Sequence, residues 1–112
     1  MRPIILHPKA RDAIRRFPKD ARIRLGKGLF RLQMGEQIGM PDSRPMPGIG
    51  KRCHELRVWD AQSRVEWRII YRLDPDEVLI VDVFVKKTQR TPQDAIVRCQ
   101  KRLLLYDLDV ER

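Results

Sequence analysis

The sequence is poor in the residues that cage metals or staple small folds: it has two cysteines and two histidines among 112 residues. Cys53 and Cys99 lie far apart, and neither has a second cysteine or a histidine at zinc-finger spacing. That excludes a metal cage and argues against a disulfide framework, leaving two reduced thiols as the expectation. Long hydrophobic runs are also missing. No stretch approaches the roughly 18 apolar residues of a membrane helix, and the opening segment is interrupted by Pro3 and His7. The expectation is therefore a soluble, cytoplasmic chain with no membrane partner. Repeats and low-complexity tracts are absent as well. What is present is a length suited to one domain, residues 1 to 112, and a 42% hydrophobic content that can build a core.

Acidic residues are under-represented, 15 against 24 Lys and Arg, for a net charge of +9. The imbalance is local. Residues 1 to 31 hold ten basic and two acidic residues, a charge of +8, and the remainder is close to neutral at +1. Such a field raises the local concentration of polyanions or of an acidic protein partner. A solvated helix face would carry the same charge, and charge alone does not choose between them.

Pro3-Ile4-Ile5-Leu6-His7 reads as a short strand ended by Pro8. Lys9 to Phe17 suits a short helix closed by Pro18, which disfavours helical geometry at the preceding residue. From Lys19 to about Gly35, apolar residues recur at Ala21, Leu25, Leu29 and Leu32, one face of a longer helix. Arg22, Arg24, Lys27 and Arg31 occupy its other face. Gly35 to Gly50 holds four glycines and three prolines and reads as a loop.

The period then changes to two. His54, Leu56 and Val58 alternate with Glu55, Arg57 and Trp59. Val65, Trp67, Ile69, Tyr71 and Leu73 alternate with Arg64, Glu66, Arg68, Ile70 and Arg72. Asp60 to Ser63 and Asp74-Pro75-Asp76 are turn signals, so these are hairpin-connected strands. Val78 to Val85 is a third, mostly apolar strand and the expected centre of the sheet. Thr91-Pro92-Gln93-Asp94 opens a helix whose apolar face is Ile96, Cys99, Leu103 and Tyr106. The fold class is α+β, in the order β-α-α-β-β-β-α, with an antiparallel-rich sheet packed against helices on one face.

If one sheet face is packed and the other wet, the wet face presents Arg64, Arg68 and Arg72 as a row. Arg57 on the neighbouring strand and Lys86-Lys87 at the end of the last strand converge on the same edge. Guanidinium and ammonium groups in such a cluster suit phosphate binding and stabilisation of a phosphoryl-transfer transition state. For Arg57, Arg64 and Arg72, cross-strand ion pairs with Glu55, Glu66 and their neighbours are the competing reading.

The segments His54-Glu55-Leu56-Arg57-Val58, Trp67-Arg68-Ile69-Ile70-Tyr71-Arg72 and Val83-Phe84-Val85-Lys86-Lys87-Thr88-Gln89-Arg90-Thr91-Pro92 resemble the RelE/ParE toxin superfamily. They are most similar to its phage-derived HigB-type branch. The resemblance spans roughly residues 47 to 106 and implies a small RelE-like domain. It further implies the toxin of a type II toxin–antitoxin system: an endoribonuclease that enters the ribosomal A site and cuts messenger RNA without a metal or other cofactor. Inhibition by a tightly bound antitoxin, usually a helix-turn-helix protein, comes with it. In that chemistry the 2′-hydroxyl attacks the adjacent phosphate while cations hold the added charge. Position by position, the resemblance makes Arg68, Lys86 and Lys87 catalytic residues, and makes Arg57 a basic residue of the second strand.

Two departures stand out. Lysines that alternate on the second strand of RelE are replaced by Cys53 and Glu55, and the tyrosine near the start of the last helix has no counterpart among Thr91, Pro92 and Gln93. His54, the histidine nearest the cluster, is the candidate general base, although its alternation with Leu56 and Val58 also suits a half-buried structural role. Arg57, Arg64, Arg72, Arg90 and Lys27 are candidate RNA-binding residues. Trp67 reads as core, and Trp59, on the Arg57 face, as a candidate for base stacking. Two other functions stay open: inhibition of DNA gyrase by protein binding, as in ParE, and a degenerate copy that binds without cutting.

Overall fold

A computed structural model describes residues 1–87 and 90–110. The elements run β1 (Ile4–Leu6), α1 (Pro8–Arg15), α2 (Lys19–Gln33), β2 (Ser43–Pro45), β3 (Cys53–Asp60), β4 (Val65–Leu73), β5 (Val78–Val85) and α3 (Gln93–Val110). The five strands form one mixed sheet in the order β1-β5-β4-β3-β2, so the fold is α+β with three helices. β1 pairs with β5 in parallel, Ile4 opposite Val78, and the other neighbours are antiparallel.

The local signals act as the residues dictate. Pro8 opens α1 and the His7 ring accepts a hydrogen bond from the Lys9 amide at 3.2 Å. α2 ends in a Schellman turn: Gly35 N–H donates to the Leu32 carbonyl and Glu36 N–H to that of Arg31, with Gly35 at φ +86°. The β3–β4 turn closes when Asp60 Oδ1 accepts the Ser63 amide at 3.0 Å.

The alternation of β3 and β4 sorts two cores. On one face Leu56, Val58, Ile69, Tyr71, Val78 and Ile80 pack with Ala10, Phe17, Ala21, Leu25 and Leu32 of the first helical segment. On the other, Cys53, Ile70, Leu79 and Val81 pack with Cys99 and Leu103 of α3. The sheet is therefore covered on both faces rather than one. The cause is visible in the residues: Ile70, Leu79 and Val81 stand on the face that carries Arg68, and they need apolar cover.

Three further expectations change. The central strand is β4, because β1 occupies the outer side of β5. The Gly- and Pro-rich stretch contains a strand, β2, which pairs with residues 54 to 56. The wet arginine row does not exist. Arg68 is 3% and Arg72 9% exposed, and Arg64 lies in the β3–β4 turn at φ 56°, outside the strand.

Candidate functional site

Three members of the expected cation cluster, Arg68, Lys86 and Lys87, come together at one end of the α3-covered face. Arg44 of β2, Glu55 of β3, Arg68 of β4, Phe84 of β5, and Lys86, Lys87, Arg90, Thr91 and Pro92 of the segment leading into α3 line a single cleft. It gathers five cations around one carboxylate. β2 brings Arg44 opposite Glu55, β4 brings Arg68 beside it, and the end of β5 supplies the lysines.

Glu55 is the hub and is 1% exposed. Its Oε1 accepts from Arg68 Nη1 at 2.5 Å and from Arg44 Nε at 3.1 Å, and its Oε2 accepts from the Thr91 hydroxyl at 2.9 Å. The Thr91 hydroxyl, expected at the helix cap, thus reaches back to the sheet, and the Pro92 carbonyl accepts the Ile96 amide. Arg68 Nη2 also lies 2.8 Å from Glu66 Oε1, an ion-pair approach without hydrogen-bond geometry. Its Nε is buried with no acceptor. Two carboxylates therefore fix the charge of Arg68 in place. The need for them is plain from the register, since Arg57 stands directly opposite Arg68 and like charges so placed repel.

Lys86 and Lys87 form no ion pair with any described residue, and Lys87 is exposed. The cleft is nearly filled, with free volume of about 10 Å³, roughly one water. Thr88 and Gln89, which belong to the same segment, lie outside the described residues.

Five expected site residues are placed elsewhere: His54, Arg57, Arg64, Arg72 and Lys27. His54 faces the opposite side of β3, stacks on Tyr71 with ring centroids 5.2 Å apart, and its Nδ1 lies 3.0 Å from the Arg52 carbonyl oxygen. It does not line the cleft, as its alternation with Leu56 and Val58 dictates. Arg72 is bound into the fold: its Nε and Nη2 donate to Asp74 at 2.8 and 3.0 Å, and its Nη1 and Nη2 donate to Asp107 at 3.0 and 2.7 Å. These hydrogen bonds hold the Asp107 carboxyl below its usual range. Arg64 is in the exposed turn. Lys27 lines a different groove, with Arg57, on the outer side of β3. Trp67 stacks on Phe17 at 4.6 Å and donates to Asp60 Oδ2 at 3.2 Å, as a core residue.

Sequence reasoning did not single out Arg44, Glu55 or Thr91 as site residues. Glu55 carried a signal, an acidic residue between Cys53 and Arg57 on a strand face otherwise facing cations. Arg44 carried none, because its strand is three residues long inside a Gly/Pro-rich stretch.

The family model described as phage-derived protein Gp49-like (DUF891) matches residues 12–104, from α1 through most of α3. The chain belongs to the Gp49-like family. This is a RelE-like toxin family of toxin–antitoxin systems, so a cognate antitoxin is implied. The search of curated proteins returns no match. The Gp49-like span takes in every cleft residue named above. None of the described helices is long and apolar enough to cross a membrane.

Proposed function

We propose that this chain is a HigB-type toxin that enters the ribosome and cleaves messenger RNA, and that the cleft around Arg68 is where the scissile phosphate sits. One observation carries the reading: a buried, doubly anchored guanidinium lies on the floor of a cleft whose rim holds two lysines with no ion-pair partner among the described residues. A fixed cation beneath a phosphate costs no reorganisation as charge develops, whereas mobile lysines close over the substrate.

The reaction uses the RNA's own nucleophile. The 2′-oxygen attacks the adjacent phosphorus, the bond to the 5′-oxygen breaks, and a 2′,3′-cyclic phosphate and a 5′-hydroxyl result. Water takes the 2′-hydroxyl proton and returns one to the departing 5′-oxygen, so that no net proton is gained or lost. Arg68, Lys86 and Lys87 hold the phosphorane-like charge, with Arg44 and Arg90 at the entrance. Glu55 is a positioning residue: it is shielded from solvent and already accepts from Arg68, Arg44 and Thr91. This chemistry draws on no cofactor. A helix-turn-helix antitoxin is the proposed partner.

Expressed without its antitoxin, the chain should arrest growth, and in a translation extract messenger should be cut at codons in the A site. Arg68→Ala and Lys87→Ala should lower cleavage by at least 100-fold, about 2.7 kcal/mol of transition-state stabilisation. Lys87→Ala should leave the thermal melt unchanged. Full toxicity of both variants would sink the residue assignment. Intact messenger with impaired gyrase supercoiling would instead identify a gyrase inhibitor.

A further inference from the structure

A second groove, of about 400 Å³, runs along the free edge of β3 where β2 ends, between that edge and α2. Arg24, Lys27 and Arg31 line it from α2, and Arg57, Trp59 and Glu66 from the sheet. Trp59 is 46% exposed, the most solvent-accessible aromatic of β3 and β4, and it contributes to neither core. Lys27 and Arg57 form no ion pair with any described residue, and the Nε of Arg57 is buried without an acceptor. Arg24 and Arg31 pair with Asp20 and Glu36 at half-exposed positions, where such pairs hold weakly.

This groove and the cleft have lining residues that are neighbours across β3 and β4. Arg57 stands opposite Arg68 in the β3–β4 register, and Trp59 stands opposite Glu66, which itself approaches Arg68. Trp59 lies one side-chain repeat beyond Arg57, about 6.6 Å along the strand. A strand of RNA whose phosphate rests on Arg68 therefore reaches Trp59 by passing over the edge of β3. We infer that the groove binds a neighbouring nucleotide of the same single-stranded RNA, its base stacked on Trp59 and its phosphate held by Arg57 and Lys27. The inference rests on the proposed RNA-cleaving reading and adds a subsite to it. An acidic peptide would satisfy the cations equally. The exposed indole of Trp59 and the placing of Arg57 directly opposite Arg68 favour a nucleotide, since stacking on an aromatic ring suits every base.

The test titrates the full chain with an uncleavable six-nucleotide 2′-O-methyl oligoribonucleotide and follows both affinity and tryptophan fluorescence. Because Trp67 is stacked on Phe17, quenching reports Trp59. Saturable quenching is expected. Trp59→Ala should weaken binding about tenfold with an unchanged thermal melt. Lys27→Gln should reduce the slope of log affinity against log salt by about one phosphate contact. If Trp59→Ala binds like the parent while Lys87→Ala binds weakly, the groove is not a nucleotide subsite and the cleft reading stands. Quenching by oligoglutamate but not by RNA would overturn the inference in favour of an acidic protein segment. If the oligonucleotide binds the parent chain not at all, both readings fail.

Discussion

Glu55 shows how one side chain holds a strongly cationic site together. Its carboxylate receives Arg68, Arg44 and Thr91, and without it Arg68 would face Arg57 across the strands with only Glu66 nearby. Removing one member of a buried ion pair leaves the other charge uncompensated, which costs about 3–5 kcal/mol. Glu55→Ala should therefore lower stability by about that amount in chemical denaturation. Glu55→Gln, which keeps the shape and one acceptor oxygen, should lose less stability yet, on the proposed reading, still cleave messenger poorly, because Arg68 is no longer held by charge. Equal stability of Glu55→Ala and the parent would show that the hub is not structural.

At the scale of elements, α2 and the turn that ends it offer a comparison among three glycines that differ in surroundings and in backbone conformation. A Cβ at Gly26 would meet nothing within 4 Å, so Gly26→Ala should stabilise the helix by about 0.5–1 kcal/mol. At Gly28 the Cβ would lie 3.3 Å from Leu56 Cδ2, so the gain should be smaller. Gly35 holds the left-handed Schellman position, and Gly35→Ala should destabilise by about 1–2 kcal/mol. Urea titrations of the three variants check the order.

The elements themselves were largely readable. Ala21, Leu25, Leu29 and Leu32 mark α2, Pro18 separates it from α1, and the alternation through Leu56, Val58, Trp67, Ile69 and Tyr71 marks the face that packs on those helices. Three things were hidden. β2 is too short for any periodicity to appear. The apolar character of β5 is shared by any interior strand, so it could not say that β4 is the centre. Arg64, Arg68 and Arg72 follow period two, but period does not register that Arg72 has Asp74 and Asp107 within reach, or that Arg64 is spent on the turn. The site was legible as a set of cations and illegible as a geometry. Lys86, Lys87, Arg90 and Arg68 converge, whereas the residue that organises them was read only as an ion-pair partner.

For the molecule as a whole, titration predicts a stability curve that falls on both sides of neutrality. Burial lowers the pKa of His7 from its ordinary 6.5, and Arg72 lowers that of Asp107 from 3.8. A lowered native pKa means that the native state binds fewer protons than the unfolded chain, so stability is lost as pH falls, first below 6.5 and then below 3.8. Burial raises Cys99 from 9.0 to about 12, and the hydrogen bond to Glu77 raises Tyr106 from 10.0 to about 12. Their contributions are complete below those ordinary values and disappear as pH rises towards 12. Denaturation midpoints from pH 3 to 11 should show both flanks, and Cys99→Ala should flatten the alkaline one. A midpoint still rising between pH 9 and 11 would contradict this.

The parallel pairing of β1 with β5 sets the order in which the chain becomes a folded object during synthesis. Ile4 finds Val78, and Leu6 finds Ile80, so the first strand to leave the ribosome waits for nearly the last. Until β5 has joined the sheet, the first two helices lack Val78 and Ile80 from the buried sheet residues they pack on, and the Arg68 cleft lacks the lysines that follow β5. The Arg68 cleft therefore comes into being only after β5 has joined the sheet, late in the making of the fold.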